Sequence, residues 1–148
     1  MTVAGVHHVA LSVPDVAAAE SFYCDLFDAE VMFREGTLDG EFGALPDEMD
    51  WSAAVDAGVE PGMSFVGRDD LALALAQEPN VPDGGPLDHI ALAITADELD
   101  GACERARSLD CDVDRRGSVA FVTDRFGVEW ELNTGDPPPE TPFDTLDV

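Results

Sequence analysis

Gly5-Val6-His7-His8-Val9-Ala10-Leu11-Ser12-Val13 and Pro86-Leu87-Asp88-His89-Ile90-Ala91-Leu92-Ala93-Ile94 carry one pattern twice, a histidine that opens an apolar run. Each run is short, apolar and bounded by turn formers, and so predicts a buried strand. A helical pattern follows each. Pro14-Asp15 opens the first helix, whose apolar positions Val16, Ala19, Phe22, Tyr23, Leu26 and Phe27 follow the helical period. Thr95-Ala96-Asp97 leads into the second, Asp97 to Leu109. Three strands are then expected in each half: Glu30 to Arg34, Met63 to Gly67 and Leu71 to Ala76, then Val113 to Arg116, Ser118 to Thr123 and Val128 to Leu132. The closing hairpins turn at Arg68-Asp69-Asp70 and at Asp124-Arg125-Phe126-Gly127.

The order strand, helix, three strands therefore occurs twice. Neither copy alone is large enough to bury its sheet, so the two are expected to share a fold. The reading is α+β, with two tandem βαβββ modules forming a half-open mixed-sheet barrel. One domain spans 5–133, with module one at 5–76 and module two at 87–133. Gln77 to Pro86, with three prolines and two glycines, links them. Residues 35–62 are rich in Gly, Asp and Glu and long for a plain connection, which suggests a lid or an interface element around a short helix near Glu48 to Ala57. The acidic, proline-rich tail 134–148 is expected to be extended or loose.

Asp and Glu total 32 against seven arginines and no lysine. Such a surface repels nucleic-acid phosphate and anionic lipid, which excludes both as partners. The acids are spread along the chain, a pattern expected of a halophile whose molar salt screens self-repulsion. Cys24, Cys103 and Cys111 are odd in number and lack C-x-x-C spacing, so no disulfide framework or structural zinc site is expected. Cys103 and Cys111 read as packing residues. With no leader pattern and no apolar run of membrane-spanning length, the expected location is the cytoplasm.

His8 and His89 occupy equivalent places in the two halves, and Val128-Glu129-Trp130-Glu131-Leu132 sets a carboxylate among apolar neighbours on the closing strand. Two imidazoles and a carboxylate form a facial set that suits a divalent metal with positions left open for substrate. His7 should point to the opposite face by strand alternation, and Asp88 away from the metal. Glu129 shares the parity of Glu131 but lies nearer the hairpin. Trp51, Phe33, Phe42 and Trp130 are candidates for an apolar cleft as well as for core. Of Arg34, Arg68, Arg115, Arg116 and Arg125, most should pair with surface carboxylates, and one is a candidate anchor for an anionic substrate.

His8-Val9-Ala10-Leu11 with Phe22-Tyr23, and His89-Ile90-Ala91-Leu92 with Phe126-Gly127-Val128-Glu129-Trp130-Glu131-Leu132, resemble the vicinal oxygen chelate superfamily. That family includes glyoxalases, extradiol dioxygenases, epimerases, thiol transferases and bleomycin-binding proteins. The resemblance implies metal ligands at His8, His89 and Glu131, with Glu131 also catalytic. It implies Fe(II) or Mn(II), or else Zn, Ni or Co, a small-molecule substrate with vicinal oxygens, and a homodimer. The family's remaining ligand position falls on Ala74 or Leu75, neither of which binds metal, while Gln77 and Glu78 would need a register slip. The implied function is a metal-dependent enzyme of the glyoxalase or dioxygenase type. The alternative is a metal-free protein that sequesters a small molecule, as bleomycin-resistance relatives do.

Overall fold

The computed structural model describes residues 1–27, 29–81, 83–123, 127–138, 141 and 143–148. The fold is α+β, with strands paired in both senses, and its described residues divide into two compact units. One unit holds Leu11–Leu87 and Pro138–Val148, the other Met1–Ala10 and Asp88–Pro137. The first strand, β1 (Gly5–Val13), is thus divided between them. No described helix is long and apolar enough to cross a membrane.

In the first of these units, α1 spans Val16–Phe27, β2 Glu30–Leu38, β3 Glu41–Ala44, α2 Trp51–Asp56, β4 Glu60–Arg68 and β5 Leu71–Gln77. The strands lie in the order β3-β2-β4-β5, with the end of β1 beside β5. Asp15 caps α1 by accepting from the Ala18 amide, and the Gln77 side chain accepts from the Val16 amide. The face that α1 buries differs from the expected stripe. Phe22 is 58% exposed, whereas Val16 and Glu20 are buried; the expected Leu26 and Phe27 side chains lie outside the described residues.

Glu20 is buried because four donors meet it. Arg34 binds both carboxylate oxygens, at 2.6 and 2.8 Å, Trp51 donates its indole N–H at 3.0 Å and Ser64 its hydroxyl at 2.5 Å. This cluster ties α1, β2, α2 and β4 together. A buried carboxylate is tolerable only when it is so fully satisfied.

Residues 35–62 are not a plain connection. β2 runs on to Leu38, reverses through Asp39-Gly40 and returns as β3, and α2 follows under an Asp50 cap. Asp39 and Gly40 both adopt positive φ, 51° and 84°, as a tight two-residue hairpin requires. The described part of the tail bends at Gly135 and Phe143 and turns at Pro138. Thr145 bridges Ala44, and Leu146 packs so close to Gly43 that a side chain there would collide with it at 2.7 Å.

In the other unit, β6 (Leu87–Ala93), α3 (Leu99–Ser108), β7 (Asp112–Arg116), β8 (Val119–Thr123) and β9 (Glu129–Asn133) give the order β6-β9-β8-β7, with the start of β1 beside β6. The turn residues 124–126 between β8 and β9 lie outside the described set. Ile94, Leu99, Ala102, Cys103, Ala120, Val122 and Leu132 form the core between α3 and the strands, with Cys111 and Trp130 packed on it. Each large member contributes roughly 1.5–3 kcal/mol by leaving water. The three cysteines are free thiols.

One buried charge has no such support. Glu35 is 2% exposed beside a bulge of β2, its Oε2 has no hydrogen-bond partner, and burial pushes its pKa up to about 7. An acid raised in this way holds its proton more tightly folded than unfolded. Stability is therefore full below its ordinary pKa and falls as pH rises through 7. Glu35→Gln should remove that loss, stabilising the protein by on the order of 2 kcal/mol at about pH 8 and by little at about pH 4 in urea titrations. Parallel pH profiles for the two proteins would contradict this.

Candidate metal centre

Strand parity positions the site. On β9, Trp130 and Leu132 pack into the core with α3, so Glu131 projects from the opposite side of the strand. Glu131 is paired on both edges, with Ala91 of parallel β6 and Phe121 of antiparallel β8. His89 shares the parity of Ala91, and Leu92 that of the core. The start of β1 lies beside β6, the Ala4 amide just ahead of it donating to the Ala93 carbonyl, and this brings in His8.

The three side chains converge. His8 Nε2 is 3.3 Å from His89 Nε2 and 3.2 Å from Glu131 Oε2, and His89 Nε2 is 3.6 Å from the same oxygen. Donor atoms bound at about 2.1 Å to one ion at right angles stand about 3 Å apart, and somewhat farther at wider angles. The observed triangle fits that spacing. These three are the one grouping of possible metal donors among the described residues.

Their electrostatics suit a cation. Burial lowers the His8 pKa to about 4 against the opposing pull of Glu131, with His7 and His89 adding to the fall, so His8 is neutral near pH 7. Burial acts against the Glu131 charge, but His89, His8 and His7 outweigh it and hold the carboxyl below its ordinary range. Burial also disfavours a charge on His89, yet Glu131 and Asp88 together raise it. Glu131 Oε2 is buried with no hydrogen bond, although two imidazole nitrogens stand within 4 Å. Such an oxygen is satisfied by a positive partner, either a protonated His89 or a cation held between the three donors.

Asp88 is outside the donor group, and it has a task that strand parity does not reveal. Its Oδ2 lies 2.6 Å from His89 Nδ1. A carboxylate can only accept, so His89 carries hydrogen on Nδ1 and, when neutral, presents a bare Nε2 to the site. The Asp-His dipeptide was the available signal. His7 also departs from expectation. It is buried, and its Nδ1 lies 2.8 Å from His8 Nδ1. Alternation sets the direction of a Cβ, not where the far edge of a ring ends.

The other candidates are placed elsewhere. Glu129 is outside the donor group. Trp51 binds Glu20, Trp130 packs on the core, Phe33 stacks on Phe65 at 4.5 Å and Phe42 meets Phe143 edge-on. Arg34, Arg68, Arg115 and Arg116 pair with Glu20, Asp69, Asp100 and Asp114, and Arg125 lies outside the described residues. For the fourth family position, the ladders decide between Ala74 and Leu75. The Ile94 amide donates to Asn133, while the Glu78 amide donates to Val13. In parallel pairing these two bonds put Glu78 in phase with Gly135. Ala74 therefore corresponds to Glu131. Gln77 is occupied in capping α1, and Glu78 accepts from the Asn80 amide.

Comparison with known proteins places the fold. Solved structures of similar fold include methylmalonyl-CoA epimerase from Mycobacterium tuberculosis, at 19% identity and TM-score 0.57 over 93% of this chain and 90% of that one. A hypothetical protein from Bacillus halodurans has 14% identity and TM-score 0.58 over 92% of this chain and 97% of that one. An extradiol ring-cleaving dioxygenase from B. fuscum reaches TM-score 0.62 at 17% identity, covering 88% of this chain but 32% of the dioxygenase. No curated protein matches by sequence. Residues 5–132 match the family model described as Glyoxalase/Bleomycin resistance protein/Dioxygenase superfamily. The chain belongs to that superfamily.

Proposed function

We propose that His8, His89 and Glu131 bind one divalent metal ion, Fe(II) or Mn(II) before Zn, Ni or Co, and that the protein is an enzyme acting on a small molecule with vicinal oxygens. The observation that carries this reading is Glu131 Oε2, buried without a hydrogen bond and faced by two imidazole nitrogens. Two nitrogens and one carboxylate oxygen are donors suited to such an ion, and three ligands leave positions open. When bound, the ion supplies Lewis acidity toward a chelated substrate oxygen.

The chain's own residues do the rest. Glu131, the one carboxylate of the group, is assigned the catalytic role. The ring of Phe121 stands edge-on to His89, 5.9 Å between centroids, beside Glu131 in the ladder, and packs against that imidazole. Asp88 keeps His89 oriented. The relatives differ in reaction, and fold alone does not select among them.

Titrating metal-stripped protein with Mn(II) should show one ion per chain. His8→Ala, His89→Ala and Glu131→Ala should each weaken binding by about 100-fold or more, and Asp88→Asn by roughly 10–100-fold without changing the stoichiometry. Loss of turnover should follow the same order. A protein that binds neither Mn(II) nor Fe(II), or whose Ala variants bind like the parent, would sink the enzyme reading and favour a metal-free binder.

We also propose that the chain works in concentrated salt. A net charge of −25 on 148 residues repels itself at a range that molar salt cuts from about 10 Å to about 3 Å. The thermal midpoint should climb steadily as KCl is raised from about 0.1 M to about 3 M; a flat or falling midpoint would contradict this.

A further inference from the structure

The residue before each histidine of the centre touches that histidine's Nδ1, but the two contacts differ in chemistry. In the second half it is the Asp88 carboxylate at 2.6 Å; in the first it is the His7 ring at 2.8 Å. A carboxylate is an obligatory acceptor and settles which nitrogen of its partner carries the hydrogen. A ring nitrogen is either donor or acceptor, so the first contact alone settles nothing.

The ambiguity is resolved at the other edge of His7. Its Nε2 lies 3.1 Å from the backbone carbonyl oxygen of Asp136. A carbonyl can only accept, so the bond requires hydrogen on His7 Nε2. A neutral His7 then has a bare Nδ1. The contact between the two Nδ1 atoms is a hydrogen bond only if His8 donates from its own Nδ1. Neutral His8 is thereby left with a bare Nε2, the atom that faces His89 and Glu131. The opposite assignment sets two lone pairs against each other at the Asp136 carbonyl. His7 is buried and its ring stands edge-on to His8, 5.0 Å between centroids, so the relay is held by packing as well as by its bonds.

We infer that His7 is a positioning residue: the Asp136 carbonyl, acting through His7, fixes His8 in the tautomer whose Nε2 lone pair points into the centre. The inference rests on the metal reading for its purpose, though the tautomer itself does not require a metal. The two halves reach the same orientation by different means, a carboxylate behind His89 and a neutral ring backed by a carbonyl behind His8.

The chain has three histidines, so a sample with 15N-labelled histidine gives an assignable spectrum. In metal-free protein, His8 should appear as the Nδ1–H tautomer. In His7→Leu it should shift toward Nε2–H, and Mn(II) affinity should fall roughly 10–100-fold at unchanged stoichiometry. His7→Asn, whose amide oxygen accepts, should recover most of both. A merely structural role would lower the thermal midpoint of His7→Leu without moving the His8 tautomer.

His8 found as Nε2–H in the parent protein overturns the inference, and this result stands even if His7→Leu does not fold. An unchanged tautomer and affinity in His7→Leu overturns it too, while leaving the metal reading intact. A parent protein that binds neither Mn(II) nor Fe(II), yet shows the His8 tautomer moving with His7, refutes the metal reading and supports the relay.

Discussion

Glu131 is hydrogen-bonded into its sheet on both edges, by parallel β6 and antiparallel β8, and this double pairing is the constraint on which the candidate centre depends. A central strand cannot slip by one residue without driving Glu131 into the core and Trp130 and Leu132 out of it. Burial of Leu132 and packing of Trp130 against α3 thus fix the side on which Glu131 emerges. Core and site are two faces of one register. The hydrophobic energy of the helix-facing side holds a carboxylate in a place that would otherwise reject it.

That carboxylate and its two imidazoles form a cluster at odds with itself. His8 and His89 approach at 3.3 Å, and the hydrogens of both rings are drawn to the far nitrogens by Asp88 and by His7. Unless His89 is protonated, lone pairs then face one another beside a buried anionic oxygen, which is costly in a low-dielectric setting. The surrounding acceptors keep the donors from turning away to relieve that cost. Under the metal reading proposed above, a site so arranged keeps its donors ready for a cation.

The alternating strands, the helices that follow them and the recurrence of His8 and His89 could be read from the chain, because period-two burial and helical spacing leave strong marks. The membership of Glu131 was legible for the same reason, since its apolar neighbours declare the strand. Asp39-Gly40 is a two-residue hairpin signal that makes β3 out of part of the stretch expected to be a lid or interface element. Phe22 and Glu20 show where the pattern misleads. The apolar ring is exposed and the acid buried, because the partners of Glu20 come from β2, α2 and β4, and no window along α1 contains them. The tasks of Asp88 and His7 were hidden by reach. Alternation predicts the root of each side chain, whereas both contacts are made by its tip.

The most direct measurement is a crystal structure of the protein saturated with Mn(II), using anomalous scattering to locate the ion. One peak is expected about 2.1 Å from His8 Nε2, His89 Nε2 and a Glu131 oxygen together, with Asp88 and His7 still on the outer nitrogens. An ion bound elsewhere, or the three donors still facing one another without one at saturating Mn(II), would contradict it.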